Sequence, residues 1–228
     1  MVKRHLSRLY APKSWPIKRK ETKFITRSRT GAHSLKESVP LSLVLTHLLK
    51  HAQTRKEVKK ILTEGKILVN NKIRKDLALS VGPMDMVSIP SLNEAYRVLY
   101  TPKGEIFMLP ITEKEKDMLL LKVENKTIVK GGKVQLNQSN GATMLVEKDT
   151  YKTGDTLVRS LIDGKIIEHL AFKKGARLYI TGGKNIGRIG VLENVEKNMI
   201  VVKSDNATFK TAKEYAFVVG NYITLKEQ

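Results

Sequence analysis

The stretch Thr54-Arg-Lys-Glu-Val-Lys-Lys-Ile-Leu-Thr-Glu-Gly-Lys-Ile-Leu-Val-Asn-Asn-Lys72 decides the fold of the surrounding chain. Thr54 and Glu57 have the spacing of a capping box, and apolar residues recur at helical spacing from Val58 until Gly65 can end the helix. After Gly65, an apolar run leads to Asn70–Asn71, a pair that tolerates the left-handed backbone of a tight turn. The stretch therefore predicts a capped helix followed by a β-hairpin.

One face of the predicted helix is a row of cations. At about 100° per residue, its four basic side chains fall within an arc of about 140°, opposite the apolar positions. Cations on successive helical turns match the phosphates of A-form RNA, and the hairpin can add donors to the same surface. The alternative is a charged face that is merely solvated. The candidate RNA-binding residues of this stretch are Arg55, Lys56, Lys59, Lys60, Lys66, Asn70, Lys72 and Arg74.

The flanking sequence completes a small domain over residues 41–92. Apolar residues between Leu41 and Lys50 have helical spacing, which predicts a first helix before the capped one. Gly82–Pro83 predicts a further turn, followed by a strand over Met86–Pro90. The order of elements is α-α-β-turn-β-turn-β.

The charge of the chain favours RNA over simple solvation. The 228 residues contain 42 Lys and Arg against 22 Asp and Glu, a formal net charge of +20, and 41% are hydrophobic. The first 90 residues hold 20 of these basic residues but only six of the acidic ones. A chain with enough apolar residues for cores and so large a basic excess is expected to bind a polyanion, most commonly nucleic acid.

Residues 1–40 are predicted to be a basic, extended N-terminal arm, with one short helix near Lys3–Tyr10. Their apolar residues show no sustained period, so the segment is expected to order only against its partner. Trp15, the only tryptophan, either anchors the arm by packing, the commoner role, or stacks on a base. The candidate RNA-binding residues of the arm are Lys3, Arg4, Lys13, Trp15, Lys18, Arg19, Lys20, Arg27 and Arg29.

The rest of the chain is predicted to be β-sheet. Short β-like runs separated by turn residues fill residues 93–170, which predicts a small barrel or sandwich, and residues 171–228 repeat the pattern. The glycine-rich segment Thr181–Arg188 resembles a phosphate loop by composition. Arg188-Ile189 replace the Lys-Ser/Thr that a nucleotide-binding loop needs, so a tight turn between strands is expected. It could present Lys184, Asn185 and Arg188 to an external phosphate.

Several classes of site are not expected. The absence of cysteine excludes disulfides, cysteine-ligated metals and thiol nucleophiles. No apolar run reaches the length of a membrane-spanning helix. His47 and His51 have a spacing that can bind zinc, but no third ligand is evident. No metal, cofactor or catalytic group is therefore predicted.

Two motifs resemble known RNA-associated modules. Arg55–Lys72 is similar to the core of the S4 RNA-binding domain, and Gly182–Val191 resembles a KOW motif of small SH3-like barrels. With the N-terminal motifs in the same order, the whole chain resembles the small-subunit ribosomal protein family S4e of archaea and eukaryotes. Those N-terminal motifs are His5-Leu-x-Arg8, Ala11-Pro-Lys-x-Trp15 and Gly31-x-His33-x-Leu35-x-Glu37.

The resemblance implies an α+β, multidomain architecture. Its parts would be a basic extended arm (1–40), a small α-α-β-hairpin RNA-binding domain (41–92), a central β-barrel-like domain (93–170) and a C-terminal SH3-like KOW barrel (171–228). The chain ends at Gln228 without the basic extension of eukaryotic members, which favours an archaeal type.

The function implied by the resemblance is structural and not enzymatic. Such a protein would lie in the small ribosomal subunit in the cytoplasm, bind and stabilise small-subunit rRNA, and contact neighbouring ribosomal proteins. No membrane, small-molecule substrate or cofactor would be involved. Two alternatives stay open: an RNA-modifying enzyme of the pseudouridine-synthase kind, which also carries the helix-hairpin domain, and a KOW-type transcription factor.

Overall fold

The computed structural model describes residues 5–112, 115–147, 149–204 and 207–223, so the candidates Lys3 and Arg4 lie outside the described residues. The chain divides into two compact units, Met1–Asp117 and Met118–Gln228. Both are built mostly from antiparallel β-sheet, with few helices. Within the described ranges, no helix is long and apolar enough to cross a membrane.

The first unit contains one large sheet, two small strand pairs and two helical segments. Its elements in chain order are β1 (His5–Ser7), a 3-10 turn (Arg8–Tyr10), β2 (Phe24–Thr26), β3 (Val39–Pro40), α1 (Leu41–Leu43), a π-helical turn (Val44–Leu48), α2 (Arg55–Thr63), β4 (Leu68–Val69), β5 (Lys72–Ile73), β6 (Ser80–Val81), β7 (Met86–Ile89), a 3-10 turn (Pro90–Leu92), β8 (Glu94–Tyr100) and β9 (Ile106–Pro110). The large sheet has the order β5-β4-β7-β8-β9, while β1 pairs with β2 and β3 with β6.

The helix and hairpin of the deciding stretch form as predicted. Thr54 Oγ1 accepts a hydrogen bond from Glu57 N, and the Glu57 carboxylate accepts one from Thr54 N, each at 3.3 Å. Val58 and Leu62 form the buried face of α2. Gly65 then takes a left-handed φ of 74°, a conformation that glycine adopts at little cost, and the chain turns into the hairpin.

Residues 5–40 do not form an extended arm. Trp15 is 2% exposed, and its indole Nε1 donates to the carbonyl oxygen of Ser38 at 2.7 Å. Ile106 N, at the start of β9, donates to Ser14 O at 2.8 Å. The prediction that the segment orders only against its partner is wrong for the described part. Contacts between residues distant in sequence hold the segment in place, and such contacts leave no periodic pattern in the sequence.

The short helix near Lys3–Tyr10 is also absent from the described residues. His5–Ser7 is the strand β1, and only Arg8–Tyr10 is helical, as a single 3-10 turn. The hydrogen-bonded partner of β1 is β2, which lies almost twenty residues further along the chain. This strand pairing outweighs the predicted tendency of residues 5–7 to form a helix.

The boundary predicted between residues 92 and 93 falls inside the large sheet. The turn Pro90–Leu92 ends at Asn93, which has a φ of 54°, and β7 then pairs with β8 in an antiparallel ladder. The turn Pro90–Leu92 makes a tight connection between the neighbouring strands β7 and β8. The helix-hairpin region is therefore continuous with residues 94–110.

The second unit contains two five-stranded antiparallel sheets. Its strands are β10 (Met118–Ile128), β11 (Val134–Gln138), β12 (Thr143–Val146), β13 (Thr156–Ser160), β14 (Ile166–Leu170), β15 (Arg177–Ile180), β16 (Ile189–Glu196), β17 (Met199–Lys203), β18 (Thr208–Ala212) and β19 (Ala216–Val218). Their orders are β12-β11-β10-β13-β14 and β18-β17-β16-β15-β19. Each sheet has its own apolar cluster, around Leu136 and Leu157 in the first and around Ile180 and Val202 in the second. The β-runs predicted up to residue 170 are all strands.

Candidate nucleic-acid interface

The exposed face of α2 carries the predicted row of cations. Its four basic side chains are exposed, while Val58 and Leu62 on the opposite side are 0% and 1% exposed. Among the residues that the structure describes, none of the four forms an ion pair. These unpaired cations are Arg55, Lys56, Lys59 and Lys60.

The acidic residues near α2 have other partners. Hydrogen bonds from Gln53 N and then from Thr54 lower the pKa of Glu57, so its charge stabilises the start of the helix. At the other end, the ammonium of Lys66 lies 2.6 Å from the Glu64 carboxylate and lowers its pKa. Lys66 is thus paired with an acid, and the charge of Lys60 also lowers the pKa of Glu64.

A buried carboxylate holds the hairpin that follows α2. Asn70 and Asn71 have φ values of 50° and 60°, as a tight turn between β4 and β5 requires. The Asn70 side chain donates from Nδ2 to Asp85 Oδ1 at 2.8 Å and accepts from Met86 N at 2.9 Å. Both ends of its amide are therefore occupied. Asn70 therefore positions the hairpin, and its contact with RNA stays a prediction.

Asp85 also joins the hairpin to the N-terminal segment. It is 4% exposed and accepts from Gly82 N at 3.0 Å. His33 Nε2 lies 3.0 Å from Asp85 Oδ2, with its ring against Gly82, where a Cβ atom would come within 2.3 Å. Neither His33 nor Asp85 was predicted to support the site, because only the fold brings them together.

The remaining candidates of the first unit differ in how accessible their side chains are to RNA. Arg19 is structural, since its guanidinium donates to the carbonyl oxygens of Leu9, Ala11 and Pro12 at 3.1–3.2 Å. Arg29 is exposed but paired with Asp76 at 2.8 Å. Buried Trp15 cannot reach RNA, and Arg27 and Arg74 are half-buried. The candidates that remain exposed outside α2 and have no ion pair in the described part are Lys13, Lys18, Lys20 and Lys72.

One buried cation that supports this surface was missed as a functional residue. Arg8 is 5% exposed and donates to Lys18 O at 2.6 Å, to the Glu21 carboxylate at 2.9 Å and to Thr22 Oγ1 at 2.9 Å. It fixes the loop that carries the exposed lysines. Its position in the first N-terminal motif was the available signal.

The glycine-rich loop of the second unit connects β15 to β16. Gly183 and Gly187 have φ values of 78° and 77°, which confirms the expected tight turn. The ring of Tyr215 packs on Gly182, where a Cβ atom would come within 2.5 Å. Lys184 and Arg188 are exposed, and the Arg188 guanidinium lies 5.8 Å from the centroid of the Phe209 ring. The Asn185 side chain makes a long contact, 3.5 Å from Nδ2 to Lys210 O.

The two histidines with zinc-like spacing have other partners. His47 Nδ1 lies 2.7 Å from Thr46 Oγ1, and burial, with the nearby charge of Arg8, lowers the pKa of His47. His51 Nε2 lies 3.1 Å from the Glu94 carboxylate. In the ranges covered by the structure, no group of three or more His, Asp or Glu side chains is arranged to hold a metal ion.

Three family models match successive parts of the chain. The RS4NT (NUC023) domain matches residues 2–36, the S4 domain matches residues 40–87, and the model described as Ribosomal family S4e matches residues 92–166. The S4 match covers α2 with its cationic face, the β4–β5 hairpin and the buried Asp85 that holds this hairpin.

Whole-chain relatives give the same assignment. The small ribosomal subunit protein eS4 of Methanocaldococcus jannaschii is 43% identical over 96% of this chain and 95% of its own length. Those of Methanocella arvoryzae and Methanococcus aeolicus are 38% and 40% identical at the same coverage. The crystal structure of the 30S ribosomal protein S4e from Thermoplasma acidophilum is 31% identical, with a TM-score of 0.70 over 81% of this chain and 95% of that one. These relatives are archaeal, as the resemblance predicted, and the chain belongs to the S4e family of small ribosomal subunit proteins.

Proposed function

We propose that this chain is a structural constituent of the small ribosomal subunit in the cytoplasm, where it binds and stabilises small-subunit rRNA. The observation that carries the proposal is the exposed face of α2, with four cations that form no ion pair among the described residues. Membership of a family of ribosomal proteins supports a structural role and gives no support to a catalytic one.

The chemistry of the α2 face suits a phosphate backbone. Lysine and arginine neutralise phosphates and release condensed counterions, which gives affinity without base recognition. The capping box fixes the start of α2, and the buried Asp85 carboxylate fixes the hairpin, so both elements are ordered before RNA arrives. An ordered surface loses less conformational entropy on binding. Lys72 extends the proposed contact onto the hairpin.

The second unit would make a weaker contact. We place its final sheet as the proposed KOW barrel, with Lys184 and Arg188 as loop donors to a separate phosphate. Asn185 is half-buried and would act mainly within the loop. The domain limits implied by the resemblance, and neighbouring ribosomal proteins as further partners, belong to the same proposal.

Binding to isolated components tests this function. Purified protein is mixed with transcribed small-subunit rRNA, with large-subunit rRNA and with RNA polymerase, and the complexes are sedimented at high salt. We expect co-sedimentation with small-subunit rRNA and no new base modification in the recovered RNA. Selective binding to polymerase would support the transcription-factor alternative, and newly formed pseudouridine would support the enzyme.

A further inference from the structure

The N-terminal ribbon, formed by β1, β2 and the 3-10 turn Arg8–Tyr10, exposes aromatic side chains. Tyr10 is 82% exposed and Phe24 is 51% exposed, in contrast to Trp15 at 2%. An exposed aromatic ring in a basic segment can serve as a platform on which a nucleic-acid base stacks. The basic segment therefore presents two exposed aromatic rings, but neither is the ring of Trp15 that the sequence analysis considered for stacking.

The ribbon holds these rings on a rigid backbone. In the antiparallel register Leu6 pairs with Ile25 and Ser7 with Phe24, so the two pairs point to opposite faces. Ile25 is 7% exposed and anchors one face, which leaves Phe24 on the outer face. Tyr10 lies two residues after Arg8, whose buried side chain ties this turn to residues 18–22 through three hydrogen bonds.

Basic side chains surround the Phe24 ring. Lys23 Nζ lies 5.5 Å from the centroid of the Phe24 ring, and the imidazole of His5 meets that ring edge-on at a centroid distance of 4.9 Å. The one acidic residue between positions 5 and 29 is Glu21, and its carboxylate is paired with Arg8 at 2.9 Å. Aromatic rings among unpaired cations match an unstacked, phosphate-bearing strand better than a typical protein surface.

We propose that Tyr10 and Phe24 form a stacking surface for unpaired bases of small-subunit rRNA. The inference rests on the proposed function and adds a second mode of contact to it. The lysines would neutralise the strand, while the two rings stack on its bases. Stacking on aromatic rings tolerates any base, so the surface would recognise a single-stranded or bulged segment by its shape and not by its sequence.

Salt dependence separates stacking from charge. Tyr10→Ala and Phe24→Ala are each expected to weaken binding of the full chain to transcribed small-subunit rRNA by about 5- to 100-fold. Stacking releases no condensed counterions, so the slope of log K against log salt should stay at the wild-type value. Lys18→Ala, in contrast, should reduce that slope by about 0.7–0.9. Wild-type affinity in both aromatic variants, or a slope reduced as in Lys18→Ala, would overturn the proposal.

Two further variants control for folding and for apolar contact. Leu9→Ala removes an exposed aliphatic side chain from the same turn, 69% exposed, and should bind as the wild type does. Phe24→Leu keeps a bulky apolar group in β2 but removes the flat ring, so it should bind as weakly as Phe24→Ala. Wild-type affinity of Phe24→Leu would contradict stacking.

Photocrosslinking tests the contact directly and identifies the alternative partner. With rRNA containing 5-iodouridine, we expect crosslinked peptides that include Tyr10 or Phe24. Crosslinks confined to other segments would overturn the proposal. So would aromatic variants that bind free rRNA normally but fail to enter assembling subunits, because that result assigns the rings to a protein neighbour. In either case, retained binding through α2 would leave the proposed function standing.

Discussion

The two units use their basic residues differently. Residues 1–117 hold 24 Lys and Arg against 11 Asp and Glu, and residues 118–228 hold 18 against 11. In the first unit, the α2 cations have no ion pair in the described part. In the second, Lys210 pairs with Glu196 at 3.0 Å, and Lys126 pairs with Asp149. Arg8, Arg29 and Lys66 of the first unit are paired as well. The contrast between the units therefore lies in the exposed row of α2 cations, for which we propose RNA binding.

Cations of the second unit also pack against its own apolar and backbone groups. Lys213 Nζ lies 5.4 Å from the centroid of the Phe172 ring. Lys122 Nζ donates to Glu214 O at 2.5 Å, and burial lowers the pKa of Lys122 to about 8. The net charge of the second unit therefore overstates the number of cations that are available to bind RNA phosphates.

The largest expected effect concerns the anchor of the N-terminal segment. Trp15→Ala removes a buried ring and leaves Ser38 O without its donor, so it should lower the free energy of unfolding by about 3–5 kcal/mol. The measurement is urea denaturation followed by circular dichroism. Tyr10→Ala, at an exposed position in the same segment, should change the free energy of unfolding by less than about 0.5 kcal/mol. Equal effects of the two variants would mean that the segment is not anchored.

Asp85→Ala should have the next largest effect. Asn70 and Gly82 would lose a shared acceptor and His33 a neighbouring carboxylate inside the first unit, and we expect a loss of about 3 kcal/mol in the free energy of unfolding. Arg29→Ala is the control, because it breaks an exposed pair with Asp76 that is worth less than about 1 kcal/mol. If Asp85→Ala costs no more than Arg29→Ala, the hairpin does not depend on the buried carboxylate.

A smaller, pH-dependent effect is expected in the second unit. Burial alone would raise the pKa of Asp155, but hydrogen bonds from Phe172 N, Lys152 N and His169 lower it overall. A carboxyl with a lowered pKa stabilises the fold above its ordinary pKa of about 4 and loses that contribution as the pH falls. Asp155→Asn should therefore be less stable than the wild type at neutral pH. The difference in urea midpoint should shrink below about pH 4, and a constant difference would contradict this role.

Local signals predicted the parts of the fold that depend on near neighbours. The capping box at Thr54, the helical spacing of Val58 and Leu62, and the Asn70–Asn71 turn all involve residues within a few positions of each other. The sequence also predicted the cationic face, because helical periodicity alone places those side chains together. The β-runs of the second unit followed from alternation and turn residues.

Long-range contacts could not be predicted in the same way. The bond from Trp15 to Ser38 O and the contact of His33 with Asp85 each join distant positions, and no short pattern marks them. For this reason the N-terminal segment was expected to be extended. The pairing of β7 with β8 across residues 92 and 93 is equally invisible to a pattern that treats the strands one at a time.

The salt dependence of rRNA binding tests the contrast between the units most directly. We compare the wild type with Arg55→Ala/Lys59→Ala and with Lys184→Ala/Arg188→Ala, using urea midpoints to show that both variants remain folded. The slope of log K against log salt should fall by about 0.7–0.9 for each lost phosphate contact, so the first double variant should lose about 1.5. The second should lose less than about 0.9. An unchanged slope in the first variant, or a larger loss in the second, would contradict the assignment of the main RNA surface to α2.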